Sequence, residues 1–71
     1  MRVVALKNIQ GVCEDKPYNV SWGTYGTCSE SFEYLGERYI LVRFDNGDFL
    51  VFGAADHPLI PYRGWIRIVE D

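Results

Sequence analysis

The chain has 71 residues, 48% of them hydrophobic and 15% aromatic, with a formal net charge of −3. That length makes one domain, 1–71, whose core can be filled from the apolar content without metal or disulfide staples. The acidic balance disfavours non-specific attraction to nucleic acid, no apolar run approaches the roughly 20 residues of a membrane span, and residues 1–12 carry no secretory h-region, so a cytoplasmic protein with reduced thiols is expected.

Val3-Val4-Ala5-Leu6 reads as a first strand. Residues 8–22 lose this pattern and hold Gly11, Pro17, Asn19 and the charged run Glu14-Asp15-Lys16. A connection this long reads either as an irregular binding loop or as a poorly ordered hairpin. Thr24 to Tyr34 is rich in Thr, Tyr, Ser and Phe and reads as a second strand, with Gly23 and Gly26 marking a bend or bulge near its start. That glycine pair lacks the lysine and the spacing of a phosphate-binding loop. Gly36 closes a turn.

The segment Tyr39 to Phe52, YILVRFDNGDFLVF, is two β-prone runs around Asn46-Gly47. Asn-Gly is the preferred centre of a two-residue type I′ hairpin. Residues 53–64 form a second long connection with Asp56, Pro58 and Pro61, in which Ala54 to His57 is expected to make one helical or 3₁₀ turn. Trp65 to Val69 is the last strand and Glu70-Asp71 a polar tail. No segment keeps a 3.6-residue apolar period, and short strands of this kind suggest a closed or nearly closed barrel that hides its edges.

With a two-residue loop, Asp45 faces Asp48, Phe44 faces Phe49, Arg43 faces Leu50, Val42 faces Val51 and Leu41 faces Phe52. Side chains alternate, so Ile40, Val42, Phe44, Phe49 and Val51 are the expected core face. Tyr39, Leu41, Arg43, Leu50 and Phe52 share the other face with the two aspartates. A solvent face of an antiparallel pair is mainly polar. Leu41, Leu50 and Phe52 therefore call for a cover, supplied either by the long loops or by a partner.

The chemistry-bearing residues are few. Cys13, Cys28 and His57 are three potential metal ligands without zinc-type spacing. A Cys13–Cys28 bridge is geometrically allowed, but the expected compartment favours two thiols. His57 precedes Pro58 in a loop and is expected to be exposed, with neither a nucleophile nor an orienting group in a recognisable context. No cofactor, metal or catalytic residue is assigned. The aromatics are more suggestive: Trp22, Tyr25, Tyr62 and Trp65 lie in or beside the long connections, and Trp and Tyr suit binding surfaces.

Gly26-Thr27-Cys28 leading into the second strand, Val42-Arg43-Phe44-Asp45-Asn46-Gly47, and the final Trp65-Ile66-Arg67-Ile68 resemble the SH3-like small barrel, as seen in KOW-type, Tudor-type and photosystem I accessory barrels. The resemblance implies an all-β, five-stranded SH3-like barrel with two long loops and a short 3₁₀ turn. It implies a binding module rather than an enzyme. The first long loop lacks the acidic-aromatic motif with which signalling SH3 domains grip proline-rich ligands.

These readings converge on a non-catalytic protein-interaction or regulatory module, of the kind found in small bacterial or phage accessory factors. Its expected partner-binding residues are Trp22, Tyr25, Tyr39, Leu41, Arg43, Leu50, Phe52, Trp65 and Arg67. The partner is another protein or a second copy. A KOW-like barrel would instead use Arg43, Arg63 and Arg67 with stacking aromatics on nucleic acid, and a Tudor-like reader would hold a modified cation in an aromatic cage.

Overall fold

Seven stretches of extended backbone make up the computed structural model, which describes residues 1–70: β1 (Arg2–Ala5), β2 (Ile9–Cys13), β3 (Lys16–Val20), β4 (Tyr25–Tyr34), β5 (Glu37–Phe44), β6 (Phe49–Gly53) and β7 (Ile66–Glu70). Asp71 and the side chains of Cys13 and Glu70 lie outside the described residues. So do the Cys13–Cys28 pairing considered above and the end of the polar tail.

Five strands form one antiparallel sheet in the order β6-β5-β4-β1-β7, curled into a half-barrel, and β2 and β3 form a separate two-stranded sheet. The curl begins in β4. Its ladder with β5 slips between Cys28 and Glu30, and an extra residue in one strand bends it and increases its twist. Gly26 stands between Val3 and Phe44 in the register. A Cβ there would lie 2.9 Å from the Arg43 carbonyl and 3.0 Å from the Phe44 ring, so glycine is what lets Phe44 into the core. The core itself is Val3, Ala5, Ile9, Val20, Val42, Phe44, Phe52 and Ile66.

Residues 8–22 are not an irregular loop. They form the β2–β3 hairpin, paired from Ile9↔Val20 to Cys13↔Lys16. Glu14 and Asp15 turn it with φ of 50° and 65°, the two left-handed residues that a type I′ loop needs. Leu35 and Gly36, with φ of 52° and 81°, turn β4 into β5 in the same way.

The Asn46-Gly47 turn differs from expectation. Gly47 has a φ of 98°, while Asn46 is not among the residues of positive φ. Gly47 N–H donates to the Phe44 carbonyl (2.9 Å) and Phe44 N–H to the Asp48 carbonyl (2.8 Å). The loop is therefore the three residues 45–47, a type I turn closed by a glycine bulge. The register moves by one: Leu41 faces Val51, Val42 faces Leu50 and Arg43 faces Phe49. A shift of one residue sends a strand's side chains to the opposite faces. Phe52 is 5% exposed and Leu50 packs on the core, while Phe49 and Val51 are 57% and 41% exposed.

The expected core face is thus corrected for β6 and kept for Ile40, Val42 and Phe44 of β5. Phe49-Leu50-Val51-Phe52 is apolar at every position, so its alternation cannot select a register and the turn does. Asp45 and Asp48 do not face each other either. Asp45 pairs with Arg2 at 3.0 Å, and Asp48 Oδ2 accepts from Asn19 N–H (3.2 Å) and Asn46 Nδ2 (3.1 Å). The 54–65 connection forms no helix; Ala54 to His57 makes a single turn closed by His57 N–H on the Ala54 carbonyl at 3.0 Å.

Candidate functional site

The shift of register splits the expected binding face in two. Leu50 and Phe52 turn inward, beside Trp65, onto a groove of about 490 Å³. Tyr39, Leu41 and Arg43 stay on the outward face.

The groove runs between the β2–β3 hairpin, β6 and the 59–65 segment. Ile9 and Tyr18 come from the hairpin, Leu50, Val51 and Phe52 from β6, and Leu59, Ile60, Pro61 and Trp65 from the segment, with Asn8 and Gln10 as polar neighbours. None of these residues is an acid, a lysine or an arginine. Tyr18 faces Gly11 across the hairpin, and a Cβ on Gly11 would collide with the tyrosine ring, so glycine allows the ring to lie flat across β2. Trp65 packs against the core with one ring face under Lys7, whose Nζ is 4.5 Å from the centroid. Leu59 is 83% exposed.

His57 does not line this groove but stands behind it, in a separate cleft with Glu37, Arg38 and Ala54. Its side chain is only 11% exposed, which corrects the expectation of an exposed loop histidine. The ring sits on Gly53, where a Cβ would approach it to 2.5 Å. Nδ1 accepts the backbone N–H groups of Leu59 (3.1 Å) and Ile60 (3.0 Å), and Nε2 lies 3.0 Å from Glu37 Oε2. A ring nitrogen that accepts carries no proton, so this arrangement fixes the tautomer with the hydrogen on Nε2. Gly53 N–H joins the same segment to β6 by donating to the Ile60 carbonyl at 2.6 Å. Nδ1 thus holds Leu59 and Ile60 at the groove, while Nε2 ties the ring to β5 through Glu37. Among the described residues, no three His, Cys, Asp or Glu side chains are grouped to hold a metal.

The outward face carries Tyr39, Leu41 and Arg43 of β5 with their β6 neighbours Val51 and Phe49. Phe32 stacks on Tyr39 with ring centroids 5.6 Å apart, and Arg43 lies over Phe49 at 5.9 Å. Burial, and then the carboxylate of Glu37 that accepts its hydroxyl at 3.2 Å, raises the Tyr39 phenol above its ordinary value of 10.0.

The remaining expected residues fall elsewhere. Tyr25 and Arg67 flank Val4 across β4 and β7, and Arg2 lies over the Tyr25 ring at 5.7 Å. Trp22 is exposed, its backbone N–H donating to Asn8 Oδ1 at 2.7 Å. Among the described residues Trp22, Tyr25 and Trp65 make no ring pair with one another, so they are not assembled into a cage. Tyr18, Leu59, Ile60 and His57 were missed as site residues. Only the register of a hairpin at 9–20 and the fixing of the 57–61 turn bring them together.

No family model, no curated protein and no solved structure matches this chain.

Proposed function

We infer that this chain is a non-catalytic protein-interaction module of the SH3-like barrel class, and that it binds an apolar, extended segment of another protein in the groove between the β2–β3 hairpin and residues 59–65. The class is supported by the strand order, with a long excursion after β1 and a closing strand, β7, that returns beside it. The single observation that carries the ligand class is the lining. Aromatic and aliphatic groups are combined with neutral polar ones, and no acid, lysine or arginine is among them. Such a surface gains by removing apolar area from water and offers nothing to a phosphate. The absence of catalysis is supported by His57, the sole histidine, whose two nitrogens are both in structural use.

The test is selection from a random peptide library, followed by titration of a selected peptide into the isotopically labelled chain. Shifts are expected at Tyr18, Leu50, Leu59 and Trp65. Leu59→Asp, at an exposed position, is expected to weaken binding about tenfold or more while the spectrum stays folded. Failure to select any peptide, or shifts confined to other surfaces, overturns the reading. Salt-sensitive binding of RNA or DNA that shifts Arg43, Arg63 and Arg67 would replace it with the KOW-like alternative.

A further inference from the structure

The outward face of β4, β5 and β6 shares only Val51 with the groove and has its own pattern. Alternation along β5 puts Glu37, Tyr39, Leu41 and Arg43 in one row. Phe32 lies beside Tyr39 on β4, and Val51 and Phe49 lie beside Leu41 and Arg43 on β6. Phe32, Val51 and Phe49 are all exposed. The face is largely apolar, with Glu37 at one end of the β5 row, Arg43 at the other, and Glu30 of β4 beside Leu41.

The order of that row identifies its occupant. Read from either end it runs charge, apolar, apolar, charge, with the charge reversed. A second copy can be turned by a half-rotation about an axis that lies between the two sheets and crosses β5 at the level of Ile40. Glu37 then faces Arg43 of the other copy and Tyr39 faces Leu41, each twice. Isologous two-fold interfaces require this self-complementarity. The parallel alternative would set Glu37 on Glu37 and Arg43 on Arg43, which costs like-charge repulsion. Glu37 already accepts from Tyr39 and His57, yet its side chain remains 55% exposed, so a carboxylate edge is open to a guanidinium.

We propose that the outward face of β4–β5–β6 is the contact surface of a two-fold dimer of this chain, with the β5 strands antiparallel across it and Glu37 of each copy paired with Arg43 of the other. The sheets stack face to face at the usual separation of about 10 Å. The face is small beside a standard interface, so the dimer is concentration-dependent. It touches the groove at Val51 alone, and it does not depend on the peptide-binding reading.

Analytical ultracentrifugation from micromolar to millimolar chain tests this. The wild type is expected to dimerise, more weakly as salt rises. Arg43→Glu alone and Glu37→Arg alone each set like charges opposite one another at both ends and are expected to weaken the dimer about tenfold or more. An equimolar mixture of the two variants is expected to recover it, because every pair in the mixed dimer is again opposite in sign. A monomeric wild type at millimolar concentration overturns the proposal, and so does a mixture as weak as its components. Should Glu37→Arg unfold through loss of the His57 contact, Val51→Lys, on an exposed position of the face, must abolish the dimer while the fold is kept; a surviving dimer overturns the proposal equally.

Discussion

The two hairpins β2–β3 and β5–β6 solve the same problem in opposite ways. The β5–β6 pair has the stronger sequence signal, with alternating apolar residues around Asn-Gly, and its turn is the unexpected one. The β2–β3 pair has almost no apolar alternation. Among the described side chains it buries only Ile9 and Val20, at its base, yet it turns through the tight type I′ loop that Asn-Gly usually marks, with Glu14 and Asp15 in left-handed backbone. Where both faces of a strand are apolar, the pattern announces a hairpin without fixing its register. The turn then decides, and both local and long-range contacts hold it. Asn46 Nδ2 donates to the Asn19 carbonyl of β3 at 2.9 Å, Asp48 N–H donates to Asn46 Oδ1 at 2.9 Å, and Asp45 N–H donates to the Tyr25 carbonyl at 2.8 Å. The two hairpins are thus tied to each other at the very turn that sets the register of the second.

The sharpest way to break this comparison is to truncate β6 on each face. Phe52→Ala removes a buried ring and is expected to cost about 3–5 kcal/mol, whereas Phe49→Ala, on the outward face, is expected to stay within about 0.5 kcal/mol in dilute monomer. Urea unfolding measures both. Under the two-residue register the order would invert, so a costly Phe49→Ala with a mild Phe52→Ala refutes the three-residue loop.

The same contrast explains what the residues made legible. The all-β class, the bend near Gly26, the Gly36 turn and strands β1, β4, β5 and β7 follow from β-branched and aromatic runs punctuated by glycine. Val42 and Phe44 are readable as core because their neighbours Arg43 and Asp45 are polar. Phe49 to Phe52 offer no such contrast, and one residue of loop length moved Leu50 and Phe52 from the expected wet face to the core and groove. The β2–β3 hairpin was illegible as an ordered element for a different reason. Its strands hold Gly11 and Pro17, and its turn holds two acids where glycine or asparagine is usual. His57 could not be read as a support for the groove, since its partners are the backbone N–H groups of residues two and three further on and a carboxylate from β5.

A smaller effect compares the two turns directly. Gly47→Ala places a Cβ at a φ of 98° and is expected to destabilise by about 1–2 kcal/mol. Asp15→Gly relieves a left-handed Asp with a φ of 65°, and is expected to stabilise by about 0.5–1 kcal/mol after the entropy of glycine is counted. Thermal unfolding of both variants gives the signs. A destabilising Asp15→Gly would mean that the β2–β3 turn is held by its side chain rather than tolerated by its backbone.

The smallest expected effect is electrostatic, and it separates shape from charge at the three-residue turn. The hydrogen bond from Arg2 holds the Asp45 carboxyl below its ordinary value of 3.8. A carboxyl lowered in the folded state contributes stability that is fully present above its unfolded value and is lost as pH falls through the folded one. Asp45→Asn removes that contribution at neutral pH and has no carboxylate to lose in acid. The difference in urea midpoint between wild type and variant is therefore expected to be greatest near neutrality and to close as pH falls below 3.8. Both groups are substantially solvent-exposed, so the gap is modest and shrinks with added salt. A gap that persists unchanged into acid would show that Asp45 and Asn differ at this turn by something other than the charge paired with Arg2.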